Sequence, residues 1–312
     1  MRRYWLCGWR VASDAELPEL RHRDDEFSAE VSIRFGEVPD TLEDAVLRTP
    51  FCSVSKEGRA LITVAAVGRF LVCDGTEITI QSAKGAVASS IRLFLWDMAF
   101  GLLCHQRGLF PLHAACVELE GAAVVLAGAA ARGKSTLAGA LAARGHQILA
   151  DNVCVVDTFA PGGPAVIPAF SFVNLWPDSI ENATAAWPDF AGVQTECMRP
   201  GLTKFQVRMG EPPPVGGAVP LRVVLGLGVD SMAVEPRLEP MRGFAAMKLI
   251  ASRASLRRAA QAMGIEDRMF RGPASIAAGS LVGRLVLSHR FPDLTRLAIF
   301  AESIVHQASF AA

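Results

Sequence analysis

The chain has 312 residues, with 31 basic and 31 acidic side chains and therefore no formal net charge at pH 7. At roughly 100–200 residues per domain this length suggests two domains, and a chain this long needs no disulfide or metal to stabilise its core. The balanced charge argues against a nucleic-acid-binding protein, which usually has an excess of basic residues.

The cysteines and the apolar stretches indicate a cytoplasmic protein. The seven cysteines include no Cys-x-x-Cys pair, which argues against a disulfide framework or a zinc ribbon and favours a reducing compartment. Arg2 and Arg3 are not followed by the apolar segment of a secretory signal. The apolar stretch 91–104 is too short to span a membrane, and 112–131 is interrupted by polar residues. We therefore expect neither a membrane nor a nucleic acid as a partner.

The first ninety residues are expected to form short β-strands. Four segments alternate apolar and polar residues or are apolar throughout: Glu30–Phe35, Ala60–Val67, Phe70–Cys73 and Glu77–Ile80. The Asp74-Gly75 pair between the last two is typical of a hairpin turn. No catalytic grouping is visible in this part of the chain. The sequence therefore predicts a smaller β-rich N-terminal accessory domain over residues 1–88.

The rest of the chain, residues 89–312, is predicted to form an α/β catalytic domain. Ser89–Gln106 is apolar, contains no Pro and is followed by Gly108, which predicts a buried helix. From Phe110 onward, apolar strands alternate with Ala-rich helical runs, the pattern of a βαβ unit. The predicted strands are Cys116–Glu120, Ala122–Leu126, Gln147–Ala150, Val153–Val156 and Leu221–Gly228, and the predicted helix is Ser135–Arg144.

The last third of the chain has weaker signals. Residues 161–220 are rich in Pro and Gly, so we expect long loops around a ligand site. Helices are predicted at Gly243–Gly264 and Pro273–Val282, followed by a short strand at Arg284–Ser288 and a final helix from about Asp293.

A phosphate-binding loop is the most specific signal. Gly128-Ala129-Ala130-Ala131-Arg132-Gly133-Lys134-Ser135 fits G-x-x-x-x-G-K-[ST] between an apolar strand and an Ala-rich helix. Backbone N–H groups of such a loop cradle phosphates, the Lys binds the β- and γ-phosphates, and the Ser hydroxyl binds magnesium. We therefore predict that this segment and the following Thr136 bind ATP with Mg²⁺. Ala131 stands where many such loops have Gly, and it fits without strain only at negative φ.

Two further side chains are candidates for the chemistry. Asp151 follows a predicted strand, at the end where ligands bind in open α/β sheets, so it can reach a metal or orient an attacking hydroxyl. A turn-capping role together with Asn152 is the structural alternative. His113 immediately precedes the strand Cys116–Glu120, and it is either part of the site or structural.

Several segments together resemble the catalytic domain of HPr kinase/phosphorylase and its relatives. They are Phe110-Pro111-Leu112-His113-Ala114-Ala115, the loop 128–135, Arg144-Gly145-His146 and Ala150-Asp151-Asn152-Val153. Leu175-Trp176-Pro177-Asp178-Ser179 is similar to a segment of the shorter HPr-kinase-like serine kinases. The resemblance spans about residues 110–230. It implies the α/β fold of an HPr-kinase-type P-loop domain and a homo-oligomer.

The resemblance also implies roles for individual residues. Lys134 would bind the β- and γ-phosphates, His113 would lie near the transferring phosphate, and Asp151 would take the proton from the substrate hydroxyl. Asn152 replaces the second Asp of the family's Asp-Asp pair and is a candidate metal ligand with Ser135. Glu196 lies in a loose echo of the family's E-x-R-G segment and is the third candidate metal ligand.

Three functions remain open at this stage. The first is an ATP- and Mg²⁺-dependent serine kinase of a peptide or small protein, since some relatives phosphorylate lasso-peptide precursors. The second is a P-loop kinase of a small hydroxylated metabolite. The third is a catalytically weak nucleotide-binding regulatory module, which Ala131, Asn152 and the incomplete E-x-R-G segment favour.

Overall fold

The computed structural model of the protein describes residues 1–186, 194–199, 202–211, 216–287 and 293–309. The first sheet has nine strands: β1 (Arg2–Leu6), β2 (Trp9–Ser13), β3 (Arg21–Arg23), β4 (Val31–Phe35), β5 (Ala45–Arg48), β6 (Cys52–Ser55), β7 (Ala60–Val64), β8 (Gly68–Cys73) and β9 (Glu77–Ser82). Their order across the sheet is β3-β1-β2-β4-β9-β8-β7-β6-β5.

The four strand predictions in this region are confirmed. β8 and β9 form an antiparallel hairpin, and Asp74 (φ 55°) and Gly75 (φ 66°) both take the left-handed conformation at its tip. Two successive positive φ values define a type I′ turn, which matches the twist of the flanking strands. β4 differs from most of the sheet because it pairs in parallel with both β2 and β9. The boundary at residue 88 stays a prediction.

The predicted connecting helix is confirmed, with one addition. Helix α1 (Ala88–Phe94) passes through a π-helical turn (Leu95–Ala99) into α2 (Phe100–Gln106). Its apolar side chains are buried against the first sheet and against Phe170, whose ring centroid lies 5.1 Å from that of Trp96. The same core includes Val153, so the helix packs against both halves of the chain.

The remaining strands follow in chain order: β10 (Phe110–Leu112), β11 (Ala114–Leu119), β12 (Ala122–Ala127), β13 (Gln147–Ala150), β14 (Cys154–Asp157), β15 (Ala165–Ile167), β16 (Phe172–Leu175), β17 (Gln194–Arg199), β18 (Leu202–Arg208), β19 (Val219–Val229), β20 (Arg237–Met241) and β21 (Leu281–Leu287). The remaining helices are α3 (Lys134–Ala143), α4 (Pro177–Ala186), α5 (Gly243–Ala251), α6 (Arg257–Ala262), α7 (Glu266–Gly279) and α8 (Leu294–Ser309).

The second sheet is mixed and carries the predicted strand-helix-strand unit. Its order is β10-β14-β15-β19-β12-β11-β13, with β21 beside β19 and β20 outside β21. β19 pairs in parallel with β12 and β21, whereas β11 is antiparallel to both of its neighbours. Strands β12 and β13 therefore run in the same direction with β11 between them, and α3 connects them. The protein is a mixed α/β protein, as predicted.

Both faces of this sheet are covered, and the residues of β12 show why. Val124 and Leu126 pack with α3 and α8 on one face. Ala123 and Val125 pack with α5 and α7 on the other. Side chains alternate between the faces of a strand, so a strand covered on both sides is a continuous apolar run. This arrangement holds the end of β12, and the loop that follows it, in a fixed place.

The prediction of long loops over 161–220 is wrong for much of that segment. It contains β15, α4 and the start of β19, together with a separate antiparallel sheet of order β16-β18-β17. The strands of this segment depend on pairing partners: β15 pairs with β14 and β19, β16 pairs with β18, and β17 pairs with the neighbouring β18.

Two helix predictions near the C-terminus are also corrected. The predicted helix Gly243–Gly264 is two helices, α5 and α6, separated by residues that include Leu256 at φ 49°. The predicted helix Pro273–Val282 is α7, which begins earlier at Glu266, contains Pro273 and ends at Gly279. Val282 lies in β21 opposite Val224, where burial between two strands prevails over a helical pattern.

The final predicted strand and helix are found. The strand β21 extends from Leu281 to Leu287, so it begins three residues before the predicted start at Arg284, and the predicted end at Ser288 lies outside the described residues. The last helix, α8, begins at Leu294. Within the described ranges, none of the helices combines the length and the apolar character that a bilayer crossing requires.

Candidate functional site

The predicted phosphate loop lies between the end of β12 and the start of α3. Gly128 leaves the strand close to β19, where a Cβ would lie 3.3 Å from the carbonyl oxygen of Leu227. Gly133 precedes the helix with φ 82°, a left-handed conformation that suits glycine. Among the described residues, no side chain caps the N-terminus of α3. Its first N–H groups, with the positive end of the helix dipole, therefore face the loop and are suited to an anion.

Ala131 departs from the conformation that an alanine prefers. Its φ is 58°, so the condition under which alanine fits this position without strain is not met. A left-handed conformation costs a non-glycine residue about 1–2 kcal/mol, because its Cβ crowds the following carbonyl oxygen. The loop keeps the curvature that a third glycine would give, at a cost in stability.

Lys134 is held inside the loop. Its side chain is buried, and the residue is only 7% exposed. The ammonium Nζ donates hydrogen bonds to the carbonyl oxygens of Gly128 at 3.2 Å and Ala129 at 3.1 Å. A buried ammonium needs such partners because desolvation of an isolated charge is costly.

His113 lies next to this ammonium. Its Nε2 is 3.4 Å from Lys134 Nζ, and its backbone N–H donates to the carbonyl oxygen of Arg253 at 2.7 Å. An ammonium can only donate, so in this contact Nε2 is the accepting atom. The structure therefore brings His113 next to the loop lysine, while its expected place near the transferring phosphate stays a prediction.

Asp151 connects the end of β13 to the phosphate loop. Asp151 is buried, and only 2% of the residue is exposed to solvent. Ser135 Oγ donates to Asp151 Oδ1 at 2.9 Å and lies 3.1 Å from Oδ2. The backbone N–H of Asn174 in β16 donates to Oδ2 at 2.8 Å. The carboxylate thus faces the loop serine and not the apolar interior.

Asn152 turns its side chain toward the connecting helix. Its φ is 67°, a left-handed conformation that Asn tolerates better than most residues. Its Nδ2 donates to Asp97 Oδ1 at 2.8 Å, and Asp97 lies in the π-helical turn. The amide that the resemblance assigns to the metal is therefore engaged with a carboxylate 55 residues earlier in the chain.

The third candidate metal ligand, Glu196, lies in β17. Its backbone pairs with Phe205 of β18, which pairs in turn with Leu175 of β16. Glu196 is thus two strand spacings, about 10 Å, from the backbone of Leu175, the neighbour of Asn174. Its side chain lies outside the described part of the chain, so its role stays a prediction. Among the described residues, no three His, Cys, Asp or Glu side chains gather as a metal centre.

The other segments of the resemblance also have defined contacts. Helix α4 begins at Pro177, and Ser179 Oγ lies 3.4 Å from the hydroxyl of Thr136, which donates to it at the start of α3. Arg144 and His146 both bind Glu302 of α8, through contacts of 2.7 Å and 2.8 Å. The pKa of Glu302 lies below its usual value, mainly because Arg144 donates a hydrogen bond to it. The hydrogen bond with His146 lowers this pKa further. This cluster fixes α3 against α8.

The comparisons with known proteins found similarity to solved structures. No protein-family model and no curated protein sequence matches it. Among solved structures, it is similar to the Hpr(Ser) kinase/phosphatase from Coxiella burnetii, with 14% sequence identity and a TM-score of 0.33. The alignment covers 64% of this chain and 91% of that chain. At so low a score the function has to be inferred from the contacts within the site.

Sequence reasoning missed two residues of the site. Asn174 contributes a backbone N–H, which has no signature in the sequence, and its buried side-chain Oδ1 has no hydrogen-bond partner in the part of the chain that the structure describes. Asp97 had a visible signal, because it is the one acidic residue in the apolar stretch 91–104. A carboxylate in such a stretch is costly to bury unless it has a partner, so it indicates a contact elsewhere in the chain.

Proposed function

We propose that the protein is a phosphotransferase that uses ATP and Mg²⁺ to phosphorylate the hydroxyl group of a Ser in a peptide or small protein. The observation that carries this proposal is the contact between Ser135 of the phosphate loop and the buried carboxylate of Asp151. It brings the sequence's most specific anion-binding motif and its best proton acceptor into one site.

The phosphate-binding part is supplied by the loop and by α3. Backbone N–H groups between residues 128 and 135 and the uncapped start of the helix donate to phosphate oxygens. Lys134 already lies against the loop carbonyls of Gly128 and Ala129, so its ammonium exchanges these partners for oxygens of the β- and γ-phosphates. The buried ammonium thereby stays paired in both states.

The residues around Asp151 fit a magnesium ion. Mg²⁺ prefers oxygen ligands and usually combines one or two carboxylates with substrate phosphates. Ser135 Oγ lies within 3.1 Å of both carboxylate oxygens of Asp151, so these oxygens would hold the ion. When bound, the ion neutralises charge on the β- and γ-phosphates.

Asp151 also supports the acceptor chemistry. The Asn174 N–H holds Oδ2, which fixes the carboxylate while a lone pair of the other oxygen accepts the proton of the incoming Ser hydroxyl. The O–H bond breaks as the oxygen attacks the γ-phosphorus, and the bond to ADP breaks on the opposite side. His113, next to Lys134, would line the place of the transferring phosphate.

A second candidate is a nucleotide-binding regulatory module without phosphotransfer. Two observations favour it: the strained left-handed Ala131 in the loop, and the engagement of the Asn152 amide with Asp97, which leaves fewer side chains for a metal. The two candidates share nucleotide binding and differ only in transfer.

The deciding experiment is transfer of radiolabelled γ-phosphate by the full chain with Mg²⁺. Acceptors are Ser-containing peptides, with a lasso-peptide precursor first, and small alcohols as the second class; Lys134→Ala is the inactive control. Labelling of peptide Ser that depends on Lys134 supports the proposal. Label only on small alcohols indicates a metabolite kinase, and nucleotide binding without transfer or hydrolysis indicates the regulatory module.

A further inference from the structure

The π-helical turn places a carboxylate next to the proposed site. In the apolar connecting helix, the turn Leu95–Ala99 contains one residue more per turn than an α-helix, and such insertions often occur at functional sites. Asp97 lies in this turn, and its Oδ1 accepts a hydrogen bond from Asn152 Nδ2 at 2.8 Å. Its neighbours Leu95 and Trp96 are buried in the core.

We infer that Asp97 is a positioning residue of the phosphotransfer site, which acts through Asn152 on the carboxylate of Asp151. This inference rests on the proposed function. Asp97 itself is not assigned a contact with a substrate or with a phosphate.

The backbone at Asn152 is left-handed, and the connecting helix supports this conformation. A left-handed residue outside glycine persists only where its surroundings hold it, and the hydrogen bond from Asn152 to Asp97 is such a support. The next residue, Val153, is buried in the same core as Trp96, and its N–H donates to the carbonyl oxygen of Asp151 at 2.9 Å. Both residues after Asp151 are thus attached to the connecting helix.

The direction of the Asp151 side chain depends on the shape of this turn. Its carboxylate receives hydrogen bonds from Ser135 and from the N–H of Asn174, which lie in different elements, α3 and β16. Both contacts require the turn at 151–153 to keep its shape, because a rotation at Asn152 moves the Asp151 backbone. A displacement of about 1 Å in a reacting group lowers a rate by about 100-fold.

The competing interpretation makes Asn152 a direct metal ligand, as the resemblance implies. The two interpretations predict different couplings. If Asn152 holds the turn through Asp97, removal of either side chain lowers kcat by the same factor. Removal of both side chains then lowers kcat no further. If Asn152 binds the metal, its loss raises the Mg²⁺ requirement and adds to any effect at Asp97.

The test is a double-mutant cycle in the full chain with Asp97→Ala, Asn152→Gly and the double variant. Glycine at 152 allows the left-handed conformation and removes the side chain that binds Asp97. We expect each variant to lower kcat by about 10- to 100-fold with KM for ATP changed less than about threefold, and the double variant to match the single ones. Asp97→Asn, which keeps an acceptor oxygen, is expected to restore kcat to within about fivefold of the wild type. Additive losses, or a wild-type kcat in Asp97→Ala, overturn the inference.

A second readout does not depend on activity. Hydrogen exchange of the Asn174 amide, which donates to Asp151, is expected to accelerate in Asp97→Ala and Asn152→Gly but not in the control Lys248→Ala. Unchanged exchange at Asn174 overturns the positioning role even in an active kinase. Faster exchange in a protein that transfers no phosphate supports the positioning of Asp151 and contradicts only the proposed function.

Discussion

The two sheets of the protein differ in how deeply their charged side chains are buried. In the strands of the first sheet, charges form pairs near the surface, such as Arg10 with Glu30 and Arg34 with Glu77, whose side chains are all more than a third exposed. Outside these strands, Glu19 is buried and pairs with Arg92 at 2.8 Å. Beside the second sheet, Lys134 and Asp151 are both buried. The Lys134 ammonium donates to backbone carbonyls, and the Asp151 carboxylate accepts hydrogen bonds from a hydroxyl and a backbone N–H. Exposed pairs contribute little to stability, whereas buried charges cost it.

This difference identifies the region where function is expected. A chain keeps a costly buried charge where the charge has a task, and local rules for stability are most often broken at functional sites. The positive φ of Ala131, in the same loop as Lys134, is a second cost at the same place. In the first sheet, the left-handed residues Cys7, Ala66 and Asp74 lie in hairpin turns, where positive φ values are common.

Removal of the buried ammonium should produce the largest effect. We expect Lys134→Ala to weaken ATP binding at least about 100-fold, since the phosphate contact of a loop lysine is lost, with little loss of folding stability because a buried charge is removed too. Isothermal titration calorimetry and a thermal melt measure the two quantities. Lys248→Ala, which removes an exposed lysine of α5, is the matched control. Wild-type affinity in Lys134→Ala would contradict the assignment of the loop.

The buried carboxylate comes second. Asp151→Asn keeps the shape of the side chain but removes a proton acceptor, so we expect transfer to fall about 100-fold or more while ATP affinity in the absence of Mg²⁺ changes less than about threefold. Steady-state transfer assays and equilibrium binding separate the two. Asp24→Asn serves as the control, since the Asp24 side chain is fully exposed in the first sheet region. Equal turnover in Asp151→Asn and the wild type would remove Asp151 as the proton acceptor.

The Glu302 cluster offers a pH test between the two regions. The pKa of Glu302 is lowered in the folded state by Arg144 and then His146. Its contribution to stability is therefore complete above the usual pKa of a Glu side chain and is lost as the pH falls through the lower folded pKa. We expect the Tm of the wild type to decrease below about pH 4.5 more steeply than that of Glu302→Gln.

The comparison for Glu302 is an exposed pair of the first sheet. At pH 7, Glu302→Gln is expected to cost about 1–2 kcal/mol, because it weakens a two-point contact with Arg144, and Arg34→Ala less than about 1 kcal/mol. Chemical denaturation of both variants measures these values. A larger cost for Arg34→Ala would reverse the contrast between the two sheets.

The smallest effect is expected in the loop backbone. Ala131→Gly removes the strain of a left-handed alanine, which we expect to raise the free energy of unfolding by up to about 1 kcal/mol, the gain being reduced by the greater freedom of glycine in the unfolded chain. Urea denaturation measures it, with Ala130→Gly as the neighbouring control. A destabilised Ala131→Gly would mean that the loop does not take this conformation in solution.

The sequence predicted the parts of the site that depend on local pattern. A strand, a glycine-containing loop and a helix are adjacent along the chain, so the position of Lys134 followed from spacing alone. Asp151 was found because a strand end in an α/β sheet is a recognisable place. The hydrogen bond between Ser135 and Asp151 supports both inferences geometrically.

The remaining parts depend on contacts between distant segments. The contact of Asn152 with Asp97 joins residues 55 positions apart, and the π-helical turn that presents Asp97 has no sequence signature. The strand β21 was assigned in part to a helix because its pairing with β19 is set by residues more than 50 positions away. Periodicity in a short window contains no information on such pairings.

Asn152 stands where the family that the sequence resembles has a second Asp, and the contact with Asp97 explains why an amide suits this position. An aspartate at 152 in the observed conformation would bring two carboxylates to a separation at which one of them must be protonated. Residues 97 and 152 therefore constrain each other's identity: a chain with an acid at one position requires a donor at the other. The exchange Asp97→Asn with Asn152→Asp keeps that complementarity with its polarity reversed, whereas Asn152→Asp alone creates an electrostatic clash.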